Sequence, residues 1–267
     1  MLDLSRERVH TASAAWLWIP PTAGRIDTEE YLALRFPAWY EHPLQLVGIR
    51  PRRPLAEVLD EVIDRCRAAV GTAAPQLLAW VRLDAPEGLA EALVERGGVL
   101  DETLDVLARP LGELPGLDLR VDVEVRWAAD FDTFVDAVHL NSDVFGGSKP
   151  DRAGLEPVWP EELTKLRTGG GGAVVAYLDG RPVGTAGLTV AGPDARLWGG
   201  GVLPDARGRG VYRALLAARL AYAVERRCEL AIVKGRVETS APILRRAGFS
   251  AYGQERSYLL DLSTRPA

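Results

Sequence analysis

The sequence predicts a mixed α/β protein: a largely antiparallel, twisted sheet flanked by helices, built in two tandem copies of which the first is truncated. Three observations predict it. Residues 121–203 alternate strand patterns and hairpin signals. A turn of glycines and arginines, Arg207-Gly-Arg-Gly210, joins a strand to a helix. Short sequence matches recur at a nearly constant offset of about 150 residues.

In the C-terminal half, Val121 to Trp127 alternates apolar and charged residues, the pattern of a strand with one buried face. Phe131 to His139 has apolar residues at helical spacing, with Asp130 or Asp132 as N-cap. Pro160 opens a second helix over Glu161 to Leu166, where carboxylates in the first turn complement the helix dipole. Ala173–Leu178 and Val183–Val190 read as strands joined by a turn at Asp179-Gly180, a strong hairpin signal. Ala195–Leu203 continues the meander. A helix from Val211 to about Arg226, a strand Leu230–Val233 and a short helix Ser240–Arg246 follow. A final strand pair is expected over Ser250–Leu262.

The N-terminal half repeats the later part of this order. Gly48-Ile-Arg-Pro51 matches Gly201-Val-Leu-Pro204, 153 residues on; Leu78-Ala-Trp-Val81 matches Leu230-Ala-Ile-Val233 at 152; Arg96-Gly-Gly-Val99 matches Arg246-Ala-Gly-Phe249 at 150. So long a period fits two related domains rather than a solenoid. The first copy is expected to begin at a strand Ala14–Pro20 and to lack the leading β-α-α. The Pro- and Gly-rich stretch 110–116 is the natural boundary, giving domains 1–113 and 119–267. After Pro51 the first copy runs Arg52-Arg53-Pro54-Leu55 into its helix. The glycine turn is missing, and proline removes an N–H that an anion would use.

The 267 residues are 47% hydrophobic and 26% charged, ordinary for a chain with a real core. A net charge of -5 argues against a nucleic-acid binder. No apolar run approaches the about 18 residues of a membrane span, and the charged N-terminus does not resemble a targeting segment. Cys66 and Cys228 are read as free packing thiols in a reducing cytoplasm. Three scattered histidines and two distant cysteines make no metal site. The Gly-x-Ser-x-Gly and Walker patterns are absent.

The chemistry gathers at Arg207-Gly208-Arg209-Gly210. The first N–H groups of a helix have no intrahelical partner, and the aligned dipoles make that end positive. Glycines let a pyrophosphate come close, and guanidinium groups add charge-assisted hydrogen bonds. Arg207-Gly-Arg-Gly-Val-Tyr212, with Ser240-Ala-Pro-Ile-Leu-Arg-Arg-Ala-Gly-Phe249 downstream, resembles the GNAT superfamily of N-acetyltransferases over residues 119–262, and more weakly over 11–111. Tyr212 departs from the family's small residue.

The resemblance implies transfer of an acetyl group from acetyl-CoA to a primary amine of a small-molecule acceptor; a homodimer is allowed. The cofactor residues it implies are Val202, Leu203, Arg207, Gly208, Arg209, Gly210, Val211 and Tyr212, with backbone N–H near Val202 or Leu203 meeting the developing oxyanion. The family's tyrosine proton donor falls at Leu244, which cannot donate, so catalytic residues stay unassigned. A non-catalytic acyl-CoA sensor is the rival this leaves. His139 is a candidate base and Tyr252 and Tyr258 are candidate donors to the thiolate, with packing the simpler role of each. Glu238 and Ser240 lie just past a strand end where a site would open, and Ser240 is most simply a helix N-cap.

Overall fold

The computed structural model describes residues 4–20, 22–36, 42–70, 76–112, 122–147 and 149–263. The expected boundary at 110–116 lies outside the described residues from 113 on, as does the expected strand start at Val121. The chain divides into two compact units that interleave along the sequence. An N-terminal unit comprises His10–Val106, Gly235–Ala241 and Tyr252–Ala267; a C-terminal unit comprises Met1–Val9, Leu107–Lys234 and Pro242–Ala251.

The N-terminal part contains α1 (Arg6–Ala14), β1 (Gly24–Asp27), β2 (Tyr31–Arg35), β3 (Leu44–Ile49), α2 (Leu55–Val70), β4 (Gln76–Val81), α3 (Leu89–Glu95) and β5 (Val99–Pro110). Antiparallel β1-β2 and β2-β3 pairs precede a parallel β3-β4 contact at Gln45/Leu78 and Leu46/Ala79. Helix α2 buries Val58, Leu59, Val62, Ile63 and Cys66, spaced three and four apart, against Leu44, Leu46 and Leu77. Each such burial stabilises by roughly 1.5–3 kcal/mol.

The expected strand at Ala14–Pro20 is not formed: α1 ends at Ala14 and residues 15–20 are irregular. A side chain ties the end of α1 and the start of this segment. Arg82 Nη2 donates to the carbonyl oxygens of Ser13, Ala14 (3.0 Å) and Trp16 (3.4 Å).

The C-terminal part follows the expected order closely. It comprises β6 (Glu124–Trp127), α4 (Phe131–Phe145), α5 (Arg152–Leu155), α6 (Trp159–Arg167), β7 (Gly171–Leu178), β8 (Arg181–Ala191), β9 (Asp194–Val202), α7 (Val211–Glu225), β10 (Leu230–Arg236), α8 (Ser240–Arg246) and β11 (Ser250–Asp261). Asp130 caps α4 by accepting from the Thr133 N–H at 2.9 Å. Asp179 and Gly180, at φ 51° and 75°, make the two-residue hairpin turn between β7 and β8. Strands β6 to β9 are antiparallel neighbours, and β10 joins β9 in parallel.

Two corrections concern the last elements. Residues 250–261 form one continuous strand, not a pair. Within that strand Gly253 allows close approach: a Cβ there would stand 2.6 Å from Leu83 Cδ2. Residues 256–261 of β11 pair antiparallel with β4 in the N-terminal unit. Conversely, the end of β5 belongs to the C-terminal unit, where the Leu111 N–H donates to Glu229 O at 2.9 Å. The last strand of each run therefore contributes to the other run's unit.

Helices α3 and α8 close alike. Gly98 and Gly97 donate to Leu93 and Val94; Phe249 and Gly248 donate to Leu244 and Arg245. Gly97 and Gly248 are left-handed, at φ 81° and 84°. These caps align Gly97 with Gly248, one residue off the sequence match, and set Leu93 opposite Leu244. Both leucines are fully buried.

Candidate functional site

Strand β9 carries Trp198-Gly-Gly-Gly201, and three glycines inside a strand signal a bulge or a close backbone approach. Both occur. The β8-β9 register passes from Thr185/Gly201 to Gly187/Trp198, so β9 has one residue more than β8 across that step. Gly199 takes it up at φ 57°, the left-handed conformation of a glycine bulge. A Cβ on Gly201 would stand 2.4 Å from Val144 of α4, and one on Gly200 3.1 Å from the Tyr212 ring of α7. The two helices thus rest directly on the bulged backbone.

Parallel pairing of β9 with β10 runs from Asp194/Leu230 to Leu197/Val233 and stops, whereas β9 continues to Val202. The Leu203 N–H donates to Val183 O at 2.9 Å, across to β8. Successive strand N–H groups point to opposite edges, so that of Val202 points away from β8, along the edge left without β10. Of the two expected oxyanion donors, Leu203 is committed inside the sheet. Val202 remains.

Beyond β9, a short 3-10 turn at Pro204–Ala206 leads to the cradle. Arg207, Gly208 and Arg209 are exposed, and Gly208 and Gly210 have φ 74° and 83°. Gly210 caps α7 with no side-chain hydrogen bond, so the helix's first N–H groups face outward. A Cβ on Gly208 would meet nothing within 4 Å. Arg207 Nε donates to Val202 O at 3.2 Å, bracing the turn. Arg209 is only loosely tied, with Asp122 at 3.9 Å. Asp205 is engaged by Arg181 at 2.6 Å, which holds its carboxyl below the usual range. Open space, outward N–H groups and two accessible guanidinium groups fit a diphosphate. Val211 is buried, and Tyr212 lies along the α7 surface under Gly200 rather than in the cradle.

The weighed acid–base candidates fall elsewhere. His139 Nε2 lies 2.9 Å from Pro150 O, tying α4 to the loop that follows it. Tyr258 sits in the N-terminal unit's core, Ser240 opens α8, and Glu238 is exposed. Leu244 is fully buried as the cap contact of α8. Sequence reasoning missed the Tyr177–Asp136 hydrogen bond of 2.8 Å, which fastens α4 to β7 beside Leu203. Burial and Asp136 push the Tyr177 phenol up to about 12, so it stays protonated.

A bulged strand thus loses its parallel neighbour and feeds an open glycine–arginine turn at the start of α7. Residues 136–249 match the model of the acetyltransferase (GNAT) family. Over these residues the chain is similar to that family, whose members are acetyltransferases, and the match supports an acyltransferase.

Solved structures share the fold over most of its length. A GCN5-related N-acetyltransferase from Kribbella flavida is 21% identical, covering 98% of this chain and 96% of that one, with a TM-score of 0.69. A GCN5-related N-acetyltransferase from Sphaerobacter thermophilus is 17% identical, covering 90% and 82%, with a TM-score of 0.67. A tandem GNAT protein from the clavulanic acid biosynthesis pathway is 13% identical, covering 97% and 89%, with a TM-score of 0.63. No curated protein sequence matches the chain. Among the described residues, no helix is long and apolar enough to cross a membrane.

Proposed function

We propose that the protein transfers an acetyl group from acetyl-CoA to a primary amine of a small, cationic acceptor. The observation that carries the reading is the open cradle from Arg207 to Gly210 beside the unpaired edge of β9. Bound there, acetyl-CoA supplies the activated thioester. Gly208, Arg209 and Gly210, with the first turn of α7 from Val211, hold its phosphates, and Arg207 braces Val202 while facing the same charge. The outward N–H of Val202 is the donor placed for the acyl oxygen.

The acceptor amine reaches the α4 side of the bulge, where Val144 and Phe145 cover Gly201 and the Asn141 side-chain oxygen lies beside Gly199. The chain's net charge of -5 favours a cationic amine through steering. Buried free thiols at Cys66 and Cys228 suit a reducing cytoplasm.

We infer further that the two runs are a duplicated domain whose first copy has no cofactor cradle. The Arg50 N–H donates to Glu30 O at 2.6 Å just as the Leu203 N–H donates to Val183 O, and both members of the second pair lie 153 residues beyond those of the first. This extends the sequence repeat to the preceding strands β2 and β8.

Acetyl-CoA raises the melting temperature in proportion to the logarithm of its concentration once above its Kd. Thiol release then appears with one class in a panel of polyamines, aminoglycosides, amino acids and peptide N-termini. Absence of any melting shift at saturating CoA overturns the cofactor assignment; release only with peptide N-termini overturns the small-molecule acceptor.

A further inference from the structure

Arg219 stands in the middle of α7, 1% exposed, and is the largest fully buried side chain among the described residues. A buried guanidinium is costly unless a carboxylate neutralises it. Here none does. Nε donates to Leu215 O one turn back in its own helix at 3.2 Å, and Nη1 to Gly187 O at 3.3 Å. Nη2 has no hydrogen-bond acceptor. The Tyr212 hydroxyl faces the group and favours its charged form, but burial outweighs this and pulls the guanidinium's pKa down.

What Arg219 touches explains its retention. Gly187 is the β8 residue at the register shift, and a Cβ there would run into the Trp198 indole at 2.3 Å. Opposite the shift, a Cβ on Gly200 would lie 3.5 Å from Arg219 Nη2 and 3.1 Å from the Tyr212 ring. Tyr212 and Arg219 are seven residues apart, two turns along one face of α7. The guanidinium therefore holds the carbonyl on one side of the bulge and supports the peptide on the other. Tyr212 links that support to the first turn of α7, at the cradle.

We propose that Arg219 is a positioning residue for the acyl-transfer site: from inside the core it clamps the β8-β9 bulge in register with the start of α7. The proposal rests on the cofactor reading only for its kinetic consequence. The clamp itself is a property of the fold.

The sign of two measurements tests it. Arg219→Met removes an unneutralised buried charge while filling most of its volume. It melts at the same temperature as the wild type or higher, yet its KM for acetyl-CoA rises about tenfold, a change of about 1.4 kcal/mol. Arg219→Lys, which keeps a cation on a long stem, recovers most of that loss. Amide exchange at Gly199–Val202 speeds in Arg219→Met, with no cofactor present. The proposal is overturned if Arg219→Met keeps its KM and bulge exchange within twofold of wild type. A lower melting temperature, or loss of cooperative unfolding, overturns it as well, since Arg219 would then be an ordinary stabilising residue. A wild-type protein that binds no acetyl-CoA would remove the proposed function, while amide exchange would still decide the clamp.

Discussion

Two helix starts in this chain follow the same kind of strand, and they treat an anion in opposite ways. At the start of α7, the turn from Arg207 to Gly210 is exposed and its N–H groups face outward. At the start of α2, the chain has filled the corresponding place itself. Glu30 Oε1 accepts from the N–H groups of Arg52 (2.7 Å) and Arg53 (3.0 Å), and Oε2 accepts from Arg53 Nε (2.8 Å) and Nη2 (2.6 Å). Those are the donors a phosphate would use.

Thr28 fixes the turn that delivers the carboxylate, its Oγ1 accepting from the Glu30 and Tyr31 N–H groups. In the other run, the residue whose carbonyl makes the matching bond is Val183, which has no carboxylate to offer. A missing glycine turn, one proline and one glutamate separate the open turn from the one filled by the chain's own carboxylate.

The largest expected effect strikes the open cradle. Gly210→Glu puts a carboxylate where α7 begins and a side chain at φ 83°, a strain of roughly 1–2 kcal/mol. The CoA-dependent melting shift and the thiol release both vanish, while the protein still unfolds cooperatively. A retained CoA shift would mean that the cradle is not the phosphate site.

The filled cradle is opened by Glu30→Ala. Stripped of its internal anion, the start of α2 takes up one more equivalent of inorganic pyrophosphate than the wild type, as read by equilibrium dialysis. Equal stoichiometry would show that Pro54 and the shorter loop close the site without help from Glu30.

Much of this was legible in the sequence, and the part that was not has a physical cause. Arg207 to Gly210 could be read because a local motif carries its own meaning: glycines for approach, arginines for charge, a helix behind. Asp130, Asp179-Gly180 and the Gly248 cap were likewise local. Glu30 was not legible, because its partners stand 22 and 23 residues away and only the β2-β3 pairing brings them together. Arg219 was not legible either, since burial is not written in a single position of a helix. The continuous β11 and the irregular 15–20 segment failed for a related reason: pairing partners, not propensity, decided them. Trp198-Gly-Gly-Gly201 was the one overlooked local signal.

Within the open cradle, the two arginines should separate. Arg207 both faces the ligand and braces Val202, so Arg207→Ala raises the KM for acetyl-CoA about tenfold, in line with a charge-assisted hydrogen bond of roughly 1.5–3 kcal/mol. Arg209 is solvated and its ion pair with Asp122 is long, at 3.9 Å, so Arg209→Ala costs about threefold, and 0.5 M salt erases most of it. Equal losses in steady-state kinetics would mean that the Val202 brace contributes nothing.

The smallest effect is a pH dependence confined to the filled cradle. Arg53, and then the Arg52 N–H, hold the Glu30 carboxyl down at about 2, against an ordinary value of 4.5. A lowered carboxyl pKa contributes stability that is complete above the ordinary value and disappears as pH falls toward the folded one. The melting-temperature gap between wild type and Glu30→Ala is therefore full at pH 6 and closes between about pH 4.5 and 2. Because the carboxylate sits near solvent, the gap is small at every pH and shrinks further in salt. A gap that stayed constant through that window would mean Glu30 acts by packing rather than by charge, and the likeness between its carboxylate and a bound phosphate would fail.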